Sequence, residues 1–272
     1  MVGAMDGAKV DYAAKLLAGL PRDLRERLAD PEGARAALVA LLLAPKDEVL
    51  QAQVDALSAA GSAALAEQAR RVERLTRRLG PALHLPVVDL ALPAAKQCAA
   101  AERRELLAAL ETVIHADRRV SLHEFVVLTL VRSQLEPRER PSAAGSRRLA
   151  DLQGAVSIVL ALAAHAGQRQ DATGDREAAV RAAMRAGFAE MRLADAPQPG
   201  GITLEKAAAA LEALKALAPM QKALLVKGLF ATATHDGRIR VAEAELIRLV
   251  GAVLDCPLPP LLESVDPATL AD

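Results

Sequence analysis

Ala116-Asp117-Arg118-Arg119-Val120-Ser121-Leu122-His123-Glu124 returns, altered, 119 residues further on as His235-Asp236-Gly237-Arg238-Ile239-Arg240-Val241-Ala242-Glu243. In both copies an Asp stands seven residues before a Glu, and apolar positions follow at helical spacing. Val127, Leu128, Leu130 and Val131 correspond to Leu246, Ile247, Leu249 and Val250. A helical pattern precedes each copy. The repeated unit therefore reads as helix, tight Asp turn, helix, over about residues 102–135 and 219–254. Gly237 suits the left-handed conformation that closes a helix, and Asp236 suits the same turn. Ser121 and Glu124 form a capping box that holds the next helix start, worth on the order of 1 kcal/mol. Arg240 takes the cap position in the second copy, so Glu243 performs only part of that task. Val120 and Ile239 are expected to face inward and dock the turns.

The same pattern extends outward from this repeat. Asp30-Pro31-Glu32 is a helix start, with Asp as cap and Pro in the first turn. Thr203 begins another helix. A run from Ser62 to Leu79 has one apolar face and an opposite face carrying Arg70, Arg71, Arg74, Arg77 and Arg78. Glu67 and Glu73 interrupt that face, which reads as solvated rather than as a docking stripe. Tyr12 to Leu20 reads as a short helix, and Asp89 to Gln97 as one interrupted at Pro93. Residues 136–146, 167–175 and 194–201 read as connectors. The sum is about a dozen helices and no strand: an all-α, multi-helix array. Residues 1–80 are expected to form an amino-terminal helical array, and 81–272 a bundle holding the two repeats.

Composition agrees. The chain has 272 residues, 52% hydrophobic but 1% aromatic, with no Trp, one Tyr and three Phe. That balance favours closely packed helices over sheets. Thirty-four basic residues balance 34 acidic ones, so no overall field attracts nucleic acid or anionic lipid. No run of about 18 uncharged apolar residues spans a bilayer. Nor does the amino terminus read as a signal peptide. Cys98 and Cys256 match no metal spacing and read as buried thiols.

Catalytic chemistry has no foothold in these motifs. His123-Glu124 opens a zinc-protease pattern, but position 127 is Val where the second histidine belongs. Neither a nucleophile elbow nor a phosphate-binding glycine loop is present. His84 and His165 read as isolated histidines. Asp117, Glu124, Asp236 and Glu243 are the candidate metal ligands, with turn and cap as their default roles, since a calcium loop needs alternating oxygen ligands and a longer span.

His235 to Arg248, followed by Leu254-Asp255-Cys256-Pro257-Leu258-Pro259-Pro260-Leu261-Leu262, resembles the carboxy-terminal region of bacterial membrane-bound zinc metalloproteases of the HtpX and CAAX-prenyl-protease type. Ala36 to Leu43, Leu85 to Pro93 and the turn from Ala116 to Phe125 resemble the same region. The Asp-Gly turn is also similar to that of TerB-like helical domains, although Arg118 stands where the first turn would carry Gly. The resemblance spans about residues 30–262. It implies a non-catalytic regulatory or protein-interaction domain involved in proteolysis. Its partner would be another protein or a protease domain in cis, and nucleic acid is not a partner. Membrane contact would come only through the remainder of the parent protein, with this domain on the cytoplasmic side of the inner membrane. No cofactor is expected in this chain; zinc would belong to the protease domain, which carries the HExxH motif. A divalent-metal-sensing module of the TerB-like class and a stand-alone helical scaffold are the alternative readings.

Overall fold

Ala36-Ala37-Leu38-Val39-Ala40 has no side that faces solvent, and one half of the molecule is assembled around it. The computed structural model describes residues 19–116, 120–136, 145–168, 175–194 and 199–256. The described residues hold twelve α-helices and two short 3-10 turns, and no strand. The all-α expectation is met. The proposed helix at Tyr12 and most of the connector at 136–146 lie outside the described residues.

The chain divides into two compact units at the junction of Glu136 and Pro137. The expected boundary near residue 80 is therefore corrected, and the reason is the helix just quoted. The first unit contains α1 (Arg22–Leu28), α2 (Pro31–Ala40), α3 (Asp47–Ala59), α4 (Ala63–Thr76), α5 (His84–Ala95), α6 (Ala100–His115) and α7 (Leu122–Leu135). Helix α2 packs against α1, α4, α5 and α6, so residues on both sides of position 80 share one core. Small side chains let α2 be surrounded, because alanine permits close helix approach without side-chain entropy loss. Asp30 caps α2 by accepting the Gly33 N–H at 2.9 Å, with Pro31 in the first turn, as expected.

Burying α2 encloses one charge. Arg35 is 8% exposed, and its guanidinium pairs with Glu102 and Glu105 of α6. Glu102 also accepts the Ala99 N–H at 2.8 Å, so the pair is fixed to the helix start. A second internal tie is Gln53, 1% exposed on α3. Its amide accepts the Ala44 N–H at 2.8 Å and donates to the carbonyls of Leu42 and Val113. Pro93 does not interrupt its helix. It sits inside α5, in the last turn, where its missing N–H removes a single backbone bond.

The second unit contains a 3-10 turn at Leu149–Leu152 that runs into α8 (Gln153–Ala166), then α9 (Arg176–Glu190), α10 (Leu204–Leu214), α11 (Pro219–Ala233) and α12 (Val241–Val253). Helix α8 touches the other four. The stretch Leu149–Ala166 is long and apolar enough to cross a membrane by length and composition, although Asp151 interrupts it; its Val156, Val159, Leu160, Ala163 and Ala164 are buried in this unit's core. Helices α9 and α11 meet where neither has a side chain. A β-carbon on Gly187 would lie 2.9 Å from the Gly228 carbonyl oxygen, and one on Gly228 would lie 2.7 Å from Met191 Cγ. At its entry the unit is stitched to itself: the Arg147 N–H donates to Ala216 O at 3.1 Å, and the Ala218 N–H donates to Arg147 O at 3.0 Å. Thr203 caps α10 through the Lys206 N–H, as expected.

Candidate functional site

The two repeated hairpins are α6–α7 in the first unit and α11–α12 in the second, and the second helix of each begins at the corresponding position, Leu122 and Val241. Asp117, Arg118 and Arg119 lie outside the described residues. After them, Ser121 Oγ accepts the Glu124 N–H at 3.2 Å and Glu124 Oε2 accepts the Ser121 N–H at 2.7 Å, the reciprocal box expected there. Val120 corrects its expectation: it is 38% exposed and does not dock the turn. Ile239, its counterpart, is half-buried.

The second turn is fully described. Gly237 has φ +79°, the left-handed conformation that costs an L side chain about 1 kcal/mol or more. Its N–H donates to Thr234 O at 2.9 Å. Asp236 Oδ1 accepts the Arg238 N–H at 3.0 Å, and Oδ2 pairs with the Arg240 guanidinium at 3.0 Å. Burial pushes the Asp236 carboxyl up, but these donors outweigh it and hold the group below its ordinary value. Arg240 also lies 3.8 Å from Glu243, whose Oε2 accepts the Arg240 N–H at 2.8 Å. Arg240 offers no side-chain oxygen to the Glu243 N–H, so the box is half made, as the sequence implies.

Glu243 differs from Glu124 in being 2% exposed. Its carboxyl lies over Gly167, the C-cap of α8, where an added β-carbon would stand 2.8 Å from Glu243 Cδ. That is the negative end of a helix dipole, which disfavours a second negative charge. Burial first, then the Asp236 charge, raises Glu243 to about 7, against the pull of the Arg240 N–H and charge. The folded unit thus holds a proton that the unfolded chain releases near pH 4.5. The stabilisation it brings is full below about pH 4.5 and is lost as pH rises to about 7. We expect urea unfolding of the second unit to show about 2 kcal/mol less stability at pH 8 than at pH 5 on this account, and Glu243→Gln to flatten that slope. Equal slopes in both proteins would contradict the assignment.

The structure brings Asp236 and Glu243 together across Arg240, and keeps Glu124 in its own cap. No group of three or more His, Cys, Asp or Glu side chains that would enclose a metal occurs among the described residues. The thiols are not activated: burial pushes both Cys98 and Cys256 up from their ordinary value, with Glu102 adding to the effect at Cys98. A groove of about 550 Å³ between α1, α2 and α4 is lined by Asp23, Glu26, Asp30, Glu32, Arg27 and Arg71 among others. Its lining includes neither histidine, cysteine nor serine, and Asp30 is already the α2 cap. The arginine face of α4 is largely answered from within: Arg71 pairs with Glu67, Arg77 with Glu73 and Asp47, and Arg70 donates to Gln51.

Comparison with protein-family models, curated proteins and solved structures finds no match to this chain. One juxtaposition was invisible in the sequence. His84, at the start of α5, lies beside His123, in the first turn of α7, with ring centroids 5.0 Å apart. Thirty-eight intervening residues hide it, and neither histidine has a metal-type spacing to a neighbour.

Proposed function

We propose that this chain is a non-catalytic regulatory or protein-interaction domain that acts beside a membrane-anchored zinc metalloprotease, on the cytoplasmic side of the membrane. The observation that carries this reading is the use of the second hairpin's acids. Asp236 and Glu243 serve Arg240 and the turn's own N–H groups, so the residues with the most chemical capacity hold the hairpin's shape. A hairpin whose acids are occupied internally is left to act through its surface. The resemblance of residues 235–248 and 254–262 to the protease family's carboxy-terminal region supplies the partner class. A divalent-metal sensor built on the Asp turn is the weaker reading, because Asp236 and Glu243 would have to leave Arg240 first.

The test is a reconstitution. The purified chain with added zinc should leave casein intact. Added to a detergent-solubilised zinc protease of the HtpX type from the same genome, it should change the cleavage rate at least about threefold, a coupling of under 1 kcal/mol. Chelator-sensitive cleavage by the chain alone, or no effect on the protease, would overturn the reading.

A further inference from the structure

We propose that Glu243 is a proton-operated latch between α12 and α8: protonated, it holds the start of α12 against the C-terminal end of α8, and ionised, it releases it. Geometry carries this. The side chain is 2% exposed, and its carboxyl lies over Gly167, which has no side chain to keep the two helices apart. The last turn of α8 ends there, and its unpaired carbonyl groups give that end a partial negative charge. A neutral carboxyl fits this spot. A carboxylate is repelled by it and loses its hydration as well.

The counter-charge is already divided. Arg240 is the cation beside Glu243, yet its guanidinium stands nearer to Asp236, 3.0 Å against 3.8 Å. Once ionised, Glu243 and Asp236 set two negative charges against one positive. The elements packed on α12 are α8 and α11, and their other charged groups are engaged elsewhere or face water. On α8, His165 is exposed and feels Arg176. On α11, Lys222 acts on Cys256 and Lys227 is exposed. In the turn, His235 acts on Asp236, and Arg238 is exposed. Glu245 and Arg248, further along α12, have interactions of their own.

The link from Thr234 to Arg240 joins α12 to α11, and Gly237, at φ +79°, is its pivot. Opening there puts the carboxyl in water, where it ionises near pH 4.5, whereas burial raises it to about 7 in the closed form. Opening therefore becomes easier as pH rises from about 4.5 to about 7, and levels off above that. Val241, 8% exposed when the latch is closed, turns toward solvent. The second hairpin thus offers an apolar edge at pH 7.5 that it hides at pH 5. A latch opens while α9 and α11 stay crossed, which distinguishes it from unfolding of the whole unit. The inference is independent of the proposed function: a protease partner neither requires nor excludes it.

The experiment is native-state hydrogen exchange by NMR on the full chain, with rates corrected for the intrinsic effect of pH. The Gly167 and Ala244 N–H groups, which donate to Ala163 O and Arg240 O, report the latch. Between pH 5 and pH 7.5 their protection should fall at least about tenfold, and it should stay below that of the N–H groups around Gly187 and Gly228. Glu243→Gln, neutral at every pH, should keep both groups protected throughout, and Glu124→Gln in the first hairpin should leave the fall unchanged. A second measurement uses the wild-type chain, so it does not depend on the variants folding. The carbon-13 carboxyl resonance of Glu243 should titrate near pH 7. Protection independent of pH, an equal fall in Glu243→Gln, protection at pH 7.5 equal to that at the α9–α11 crossing, or titration near pH 4.5 would overturn the latch.

Discussion

Gly187→Val should abolish the native second unit. The crossing of α9 and α11 leaves no room for a β-carbon at this position. It would overlap Thr232 Oγ1 and stand 2.9 Å from Gly228 O and 3.1 Å from Leu160 Cδ2. Thr232 is fully buried and its hydroxyl donates to Gly228 O at 3.0 Å, so the neighbour has nowhere to turn. Even Gly187→Ala should cost about 2–3 kcal/mol, and the branched valine about 4 kcal/mol or more, near the whole stability of a small domain. Thr232→Ala should rescue Gly187→Ala only in part, since the second obstacle is the backbone carbonyl of α11. Hydrogen exchange on α9 and α11, with far-UV dichroism, reads the effect. A Gly187→Ala protein with wild-type protection would show that the helices do not meet as described.

The second large effect is at Gln53. Gln53→Ala should destabilise the first unit by about 3 kcal/mol and lower its melting temperature by more than about 8 °C. One side chain here makes three hydrogen bonds, to the N–H of Ala44 and the carbonyls of Leu42 and Val113. It joins the α2–α3 connection to α6, across 60 residues of chain. Truncation removes all three and leaves a void. Gln53→Glu is the sharper variant, because it keeps the shape and the acceptor yet loses both donors and adds a buried charge. It should be at least as damaging as alanine. A loss under about 1 kcal/mol in both variants would reduce Gln53 to a spectator.

Local grammar was legible in the sequence. Asp30 before Pro31, Ser121 with Glu124, and Thr203 before its helix act on N–H groups three residues away, and short range makes such caps readable. The all-α class followed from the apolar spacing and the scarcity of rings. Long-range matters were not legible. Gln53 with Val113, Arg35 with Glu105, Gly187 with Gly228 and His84 with His123 each depend on how helices rotate against one another, which no local spacing encodes. Position 80 looked like a boundary because Gly80-Pro81 breaks a helix, yet a break in a helix is not a break in a core. Pro93 misled for the converse reason: near a helix end it removes too little to stop the helix. In the candidate site the turn and the half-made box were read correctly. Glu243 was named as a candidate ligand, but its enclosure against Gly167 needed the fold.

Sequence drift should treat the two hairpins differently. Glu124 sits at a half-open rim, where a glutamine keeps the reciprocal cap and water covers any shortfall. Glu243 is walled in, and the bare backbone at Gly167 is its mirror: a larger residue at one must be met by a smaller one at the other. Related chains should vary freely at the first locus and change in tandem at 167 and 243, a covariance that comes from the surroundings of the second hairpin and not from the pattern the two hairpins share.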